Sequence, residues 1–366
     1  MQRRPPPPED TPGGSGSALH GRGTPENPAN RFEPIHVEAE PPDETGDPVV
    51  GPATRFFRDT SRTILAENES PDVGFRFSLN PYRGCEHGCA YCYARPTHEY
   101  LGLSAGLDFE SRIMIKERAP DLLRQTLLAA SWEPEVISLS GNTDCYQPVE
   151  RRLRLTRRCL EVLADFRNPV GVVTKSALVA RDIDVLTTLA HHDAIHVMVS
   201  VTTLDRTLAQ RLEPRAATPE RRLAAIAQLA DAGIPVAVLV APIIPGLNDA
   251  EIPRILERAR EAGARSASWV LLRLPPPLDG LFTSWIERHY PERAARVLNR
   301  IRECRGGRLS DSRFGARMRG EGPYADQLAG LFSVAARRAD LHQPLPPLST
   351  AHFRRPAQAG EQLRLC

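Results

Sequence analysis

Lysine is almost missing from this chain of 366 residues: of 47 basic residues only Lys116 and Lys175 are lysine, and the other 45 are arginine. A genome-wide codon bias is the simplest account. It still singles out the two lysines, because a compact ammonium is not equivalent to a guanidinium fork. Charge of one sign is missing too. Forty-seven basic against 45 acidic residues leave +2, so no global field draws nucleic acid or a membrane surface. The opening Met1-Gln2-Arg3-Arg4 and its four prolines hold no apolar stretch of the kind a signal peptide needs. The longest apolar run, Pro235 to Pro245, is too short and too proline-interrupted to span a bilayer. Seven cysteines, an odd number, do not make a disulfide framework. These absences lead to the expectation of a cytoplasmic protein, not bound to a membrane, whose thiols stay reduced and free to bind metal. No Gly-x-Gly-x-x-Gly follows the first expected strand and no phosphate loop occurs, so the common nucleotide folds have little support.

What is present is concentrated. Gly84-Cys85-Glu86-His87-Gly88-Cys89-Ala90-Tyr91-Cys92-Tyr93 places three of the seven cysteines within eight residues, spaced Cys-x3-Cys-x2-Cys. Thiolates so close in sequence converge on one iron–sulfur cluster or on one zinc ion. Zinc would need a fourth ligand, His87 or His98, making a Cys3His site in a binding or interaction protein without catalysis. Three thiolates with no fourth nearby leave a four-iron cluster with one iron open, following the logic of catalytic metal sites.

The rest of the chain supplies the context. Residues 1–50 carry 11 prolines with glycine, serine and acidic residues, which reads as a disordered extension whose later part, Asn30 to Pro34, has the means to dock. A lead-in spans 51–71, and from 72 to 305 short apolar runs alternate with helical patterns. Strands are expected at 75–80, 136–140, 170–174, 195–201, 235–241 and 267–272. Helices are expected at 119–130, 156–166, 181–191, 219–232, 251–262 and 283–304. Thr218-Pro219 opens a helix and Gly233 and Gly263 close two, which supports the assignment. Val170 to Val173 and Ile195 to Val199 are apolar at nearly every position, as strands buried on both faces of a parallel sheet are. Six β-then-α units imply parallel strands with right-handed crossovers. The polar residues Cys85, Ser140 to Asp144, Lys175, Ser200 and Pro242 to Asn248 all fall just past strand ends, which favours an α/β fold of the (β/α) barrel type over a doubly wound sheet. Residues 306–366 complete the chain with an arginine- and glycine-rich stretch, one amphipathic helix over 324–339 and an extended proline-rich tail.

The cysteine spacing, the aromatic Tyr91 before the last cysteine and the position of the loop after a first strand resemble the radical S-adenosylmethionine (radical SAM) enzymes. Arg83 to Arg95 and Asn142 to Pro148 resemble, within that family, the uncharacterised bacterial proteins similar to spore photoproduct lyase. The resemblance covers roughly residues 72–305 and implies a partial TIM-type (β/α)6 barrel. It further implies that Cys85, Cys89 and Cys92 ligate three irons of a [4Fe-4S] cluster and that S-adenosylmethionine chelates the fourth. Reductive cleavage would then give a 5′-deoxyadenosyl radical that abstracts hydrogen from a substrate, nucleic acid in the lyase. By the same resemblance Tyr91 and the Ser140, Asn142, Thr143 and Asp144 segment approach the cofactor, the segment at its amino end. Lys175 and Ser200 face its carboxylate, and Ile244 with its apolar neighbours packs around the adenine. Cys145 lies near the lyase's hydrogen-donating cysteine, displaced by a few residues. An external electron donor such as flavodoxin or ferredoxin is implied as a partner.

Overall fold

The computed structural model describes residues 21–32 and 53–356. Ten strands occur among them: β1 (Arg55–Arg58), β2 (Leu65–Glu67), β3 (Phe77–Leu79), β4 (Tyr82–Arg83), β5 (Arg112–Ile115), β6 (Ile137–Leu139), β7 (Val170–Thr174), β8 (Ile195–Ser200), β9 (Val236–Ile243) and β10 (Ser266–Leu271). Six of them pair in parallel in sequence order, β3-β6-β7-β8-β9-β10, and β2 adds an antiparallel edge to β3. The two edges, β2 and β10, do not pair with each other, so the barrel is open along one side. This is the parallel-strand α/β arrangement that the apolar runs imply.

The strands are apolar because they lie beneath helices. Helices at Ala119–Leu128, Leu155–Phe166, Ile183–Ala190, Pro219–Asp231 and Ile252–Glu261 cover the outer face. One continuous core unites Leu139, Val172, Val197 and Val238 of the strands with Leu163, Leu186, Ile226 and Ile255 of the helices, all with no exposed surface. Gly233, at φ +77°, stops one helix in a left-handed conformation that a glycine adopts without strain, and Ile234 starts the turn into β9.

The structure departs from expectation in four places. The stretch expected as one helix over 283–304 forms two, Leu278–His289 and Pro291–Glu303. Pro291 has no amide hydrogen to continue the first helix, and its fixed φ suits the first turn of a new one. Within the 51–71 lead-in, for which the sequence suggests no element, β1 pairs in parallel with β5, and β5 pairs with β4, making a separate three-stranded sheet. The strand expected at 136–140 ends at Leu139, because Ser140 turns away at φ +77°. Finally, residues 21–32 of the extension expected to be disordered pack on the core. The Gly23 and Thr24 amides donate to the Glu110 carboxylate at 3.0 and 3.2 Å, and the Arg31 side chain grips Glu99. Glu33 and Pro34, expected to dock with them, lie outside the described residues, as do Cys366 and the rest of the extension.

Two segments finish the barrel. Arg305, whose side chain donates to the carbonyls of Leu272, Ala316 and Arg317, fixes the stretch after 304 to the end of β10. From there Arg319 donates to the Trp269 carbonyl, and Arg317 reaches Ser70 and Asp72 between β2 and β3. The arginine-rich stretch thus bridges the open side. Beyond the helix Pro323–Arg338, the tail crosses the opposite end of the barrel, where strands begin. The Ala267 amide donates to the Leu341 carbonyl, that of Ser349 to Asp193 and that of Arg354 to Phe166.

Candidate cofactor site

The cysteine loop leaves β4 at Arg83 and is held by its own amides and by neighbours. The Cys85 amide donates to the Phe109 carbonyl at 2.9 Å and the Ala90 amide to that of Leu212 at 2.9 Å. Gln147 serves as a clasp: its Oε1 accepts from the Glu86 amide and its Nε2 donates to the Gly84 carbonyl. Arg95, with no exposed surface, donates to the Cys89 and Gly88 carbonyls and pairs with Glu110 at 3.0 Å. Gly23 comes so close that a Cβ there would lie 1.6 Å from the Gly88 carbonyl oxygen. The N-terminal segment therefore props the loop from below.

Cys85 and Cys89 are buried and Cys92 is half-buried. Burial raises the pKa of all three; Asp144, Cys89 and Cys92 add to the effect at Cys85. Desolvated thiols of this kind ionise only beside a cation, the charge that a bound metal cluster brings. No three His, Cys, Asp or Glu side chains among the described residues are gathered closely enough to hold a single metal ion. The two histidines beside the loop face elsewhere: His87 Nδ1 lies 3.4 Å from Asp144 and His98 Nε2 lies 2.9 Å from the Arg112 carbonyl.

Around the loop, the ends of successive strands converge. After β6, the Asn142 and Thr143 amides donate to Asn80 Oδ1, and Thr143 Oγ1 donates to the Tyr82 carbonyl. Asp144 accepts from the Thr174 hydroxyl and the Lys175 amide, each at 2.7 Å, and thereby ties the end of β6 to that of β7. Burial opposes its ionisation, but His87, the Lys175 amide and Thr174 outweigh that and lower its pKa to about 2. Lys175 Nζ stands 5.7 Å from the centre of the Tyr91 ring. Ser200 Oγ, at the end of β8, donates to the Ala241 carbonyl at 3.0 Å. Ile244, just beyond β9, packs in one apolar cluster with Cys89 and Tyr91. The fold thus brings Tyr91, Lys175 and Ile244 to the cysteine loop, with Ser200 one layer away.

Cys145 is placed differently. It is fully buried in the main core, its amide donating to Ser140 Oγ at 2.7 Å and its carbonyl accepting from Thr156 Oγ1, of the helix behind the strand, at 2.6 Å. The Tyr91 hydroxyl donates to Glu213, which also pairs with Arg222 and accepts from the Thr202 hydroxyl at 2.6 Å. Burial raises the Glu213 pKa, but the charges of Arg222 and Lys175 and the hydrogen bonds more than reverse it. Arg222 was not anticipated from the sequence. A signal existed: it falls on the same helical stripe as Leu223, Ile226 and Leu229, where a charge requires a buried partner. Gln147 gave no comparable signal, since its partners are a carbonyl and an amide that any residue supplies, and Arg95 pairs with Glu110 15 residues away as well as with backbone carbonyls.

Comparison with known proteins adds to this geometry. The model of the Radical SAM superfamily matches residues 79–259. An uncharacterized protein of Mycobacterium tuberculosis is 34% identical over 293 residues, covering 78% of this chain and 83% of its own. An uncharacterized protein of Methanocaldococcus jannaschii is 31% identical over 184 residues, 50% of this chain and 66% of its own. Among solved structures, a spore photoproduct lyase with one cysteine-to-serine substitution superposes with a TM-score of 0.52 at 19% identity, covering 78% of each chain. That last likeness is one of fold.

Proposed function

The chain belongs to the radical SAM superfamily and is a radical SAM enzyme, and on that premise we propose that Cys85, Cys89 and Cys92 hold a [4Fe-4S] cluster that binds S-adenosylmethionine at its fourth iron. The observation that carries the reading is that one loop with the buried Cys85 and Cys89 and the half-buried Cys92 packs with Tyr91, Lys175 and Ile244 at one end of a parallel barrel. When bound, the pair supplies a 5′-deoxyadenosyl radical that takes a hydrogen atom from the substrate. The side chains divide the remaining work. Lys175 offers its ammonium to the cofactor carboxylate, with Ser200 beside it. Ser140, Asn142, Thr143 and Asp144 form the wall toward the amino group. Ile244 supplies an apolar surface for the adenine. The Glu213–Arg222 pair beneath Tyr91 fixes that ring, and hence the floor on which Lys175 stands. Cys145, whose backbone Ser140 and Thr156 hold and whose side chain is fully buried, is the candidate hydrogen donor. An external reductant such as flavodoxin or ferredoxin supplies electrons.

Anaerobic reconstitution tests the reading. The protein should turn brown, hold about four irons and show an EPR signal on reduction that changes when S-adenosylmethionine is added. A colourless protein carrying a single zinc would instead establish the Cys3His binding-protein alternative. Cys89→Ala should lose the iron and all S-adenosylmethionine cleavage while keeping the fold. Lys175→Ala should keep the iron but bind S-adenosylmethionine about tenfold more weakly, the size of one charge-assisted contact; unchanged affinity would remove Lys175 from the site.

Action on nucleic acid is a second reading, and one observation favours it. Arg273, past the end of β10, lies over the Tyr93 ring at 5.0 Å and has no ion-pair partner among the described residues. Such a guanidinium suits a phosphate of the substrate. Arg273→Ala should then weaken oligonucleotide binding without altering iron content or S-adenosylmethionine affinity.

A further inference from the structure

A second concavity, of about 490 Å³, lies away from the cysteine loop. It forms where the ends of β1 and β5 meet the first turns of the helix Ala119–Leu128, and Arg58, Thr60, Ser61, Arg62, Lys116 and Arg118 line it. Four of those six side chains are cationic. The carboxylate on the wall, Asp59, is already committed: Arg83 pairs with it at 2.7 Å and the Ser61 amide donates to it at 2.7 Å. Among the described residues Arg58 has only the exposed Glu117 at 3.5 Å, a contact of little energetic weight.

Lys116 is the telling residue. It is one of two lysines in a chain that otherwise uses arginine 45 times. Its amide is tied to the Pro81 carbonyl at 3.0 Å, which fixes the backbone, yet no hydrogen-bond or ion-pair partner meets its ammonium among the described residues. Burial, and then the charge of Arg83, pull its pKa down, and Asp59 only partly opposes them. A half-buried ammonium facing other cations is unfavourable unless an anion joins them. The ten-residue helix whose first turn opens on the same space adds positive potential.

We propose that this cavity binds a small phosphorylated ligand, with a phosphate held by Lys116 and the arginines and with the Thr60 and Ser61 hydroxyls as further donors. Phosphate fits better than carboxylate because the wall offers several cations around one volume, which suits a dianion with three terminal oxygens. The volume exceeds a single phosphate and lies within the range of metabolite sites. Leu122 is the one apolar side chain on the wall, and no aromatic ring there could stack on a base. The ligand class is therefore a sugar phosphate or pyrophosphate-like compound. A nucleic-acid strand is disfavoured because the cations converge on one hollow and do not follow a track.

The inference is independent of the cofactor reading, since its readout is binding and not turnover. Isothermal titration of the full chain at low salt should detect pyrophosphate and ribose 5-phosphate. Lys116→Ala should weaken both at least tenfold while leaving iron content unchanged. Arg62→Ala, on the exposed rim, serves as a second variant that folding cannot confound, and should weaken pyrophosphate several-fold at an unaltered melting temperature. Absence of binding by either probe overturns the proposal, as does equal affinity in both variants. Binding of a thymidine oligonucleotide alone, lost in Lys116→Ala, would also overturn it, making the face a nucleic-acid surface.

Discussion

His98 shows how much a single buried side chain can carry. It has no exposed surface; its Nε2–H donates to the Arg112 carbonyl at 2.9 Å, and its Nδ1 has no partner among the described residues. Burial is the main reason its pKa falls from 6.5 to about 4, and the nearby Arg95 and Arg112 charges add to it. The sign follows from linkage. The unfolded chain takes up a proton near pH 6.5 and the folded chain only near pH 4, so the stability is present above 6.5 and is lost as pH falls through that window. At about 1.4 kcal/mol per pH unit the loss is roughly 3 kcal/mol. Asp144, lowered from 3.8 to about 2, acts only in a more acid window. Urea unfolding of the iron-free protein between pH 7 and 4 should therefore show a slope that His98→Gln flattens. An unchanged slope in the variant would assign the loss to other groups. At this scale the sequence marked Cys85, Cys89, Cys92 and Lys175, whose type and spacing imply chemistry. It marked His98 only as a possible zinc ligand and did not foresee the burial of His98 or Arg95, because burial depends on contacts far along the chain.

Among the elements, the strands were the most legible and the supports of the cysteine loop the least. β7 occupies the very residues that its apolar run implies, with Val170, Val172 and Thr174 buried and Gly171 and Val173 half-buried on the other face. β1, with the sequence Arg-Phe-Phe-Arg and every residue exposed, carries no such pattern and exists because β5 pairs with it. The segment 21–32 is likewise invisible to composition, since its order comes from Glu110 and Glu99 and not from its own apolar residues. Gly23 tests its importance. Any side chain there would strike the Gly88 carbonyl, a backbone atom between Glu86 and Cys89 that cannot yield cheaply. Gly23→Ala should detach the segment, leaving the buried Arg95–Glu110 pair without two of its amide donors. Global unfolding free energy should fall by about 1–2 kcal/mol, in the range for a lost pair of buried hydrogen bonds. Iron retention after dilution should fall further, because the loop itself loses its prop. Equal iron retention in variant and parent would show that the loop holds its shape alone.

The whole molecule separates function from support along the barrel axis. The cysteine loop, Lys175, Ser200 and Ile244 gather where strands end, while the tail over residues 341–356 crosses the end where strands begin. In barrels of this kind the first face carries chemistry and the second carries stability. The tail was legible only as proline-rich and extended, because it is held by backbone hydrogen bonds to Asp193 and Phe166 and by Arg354 and Arg355 donating to the carbonyls of Asp165, Ala129 and Trp132, partners that no sequence pattern announces. Its apolar anchors are Leu341, fully buried in the main core, and Phe353, half-buried, with its ring 6.2 Å from that of Phe166. Phe353→Ala removes that contact without touching the opposite face. A fully buried phenylalanine truncation costs about 3–5 kcal/mol, so a half-buried one should cost about 1–2. The expected outcome is a lower urea midpoint with unchanged iron content and unchanged S-adenosylmethionine affinity. A variant that lost affinity in proportion to stability would mean that the two ends are coupled through the strands, and that the barrel acts as one mechanical unit and not as a platform with a separate base.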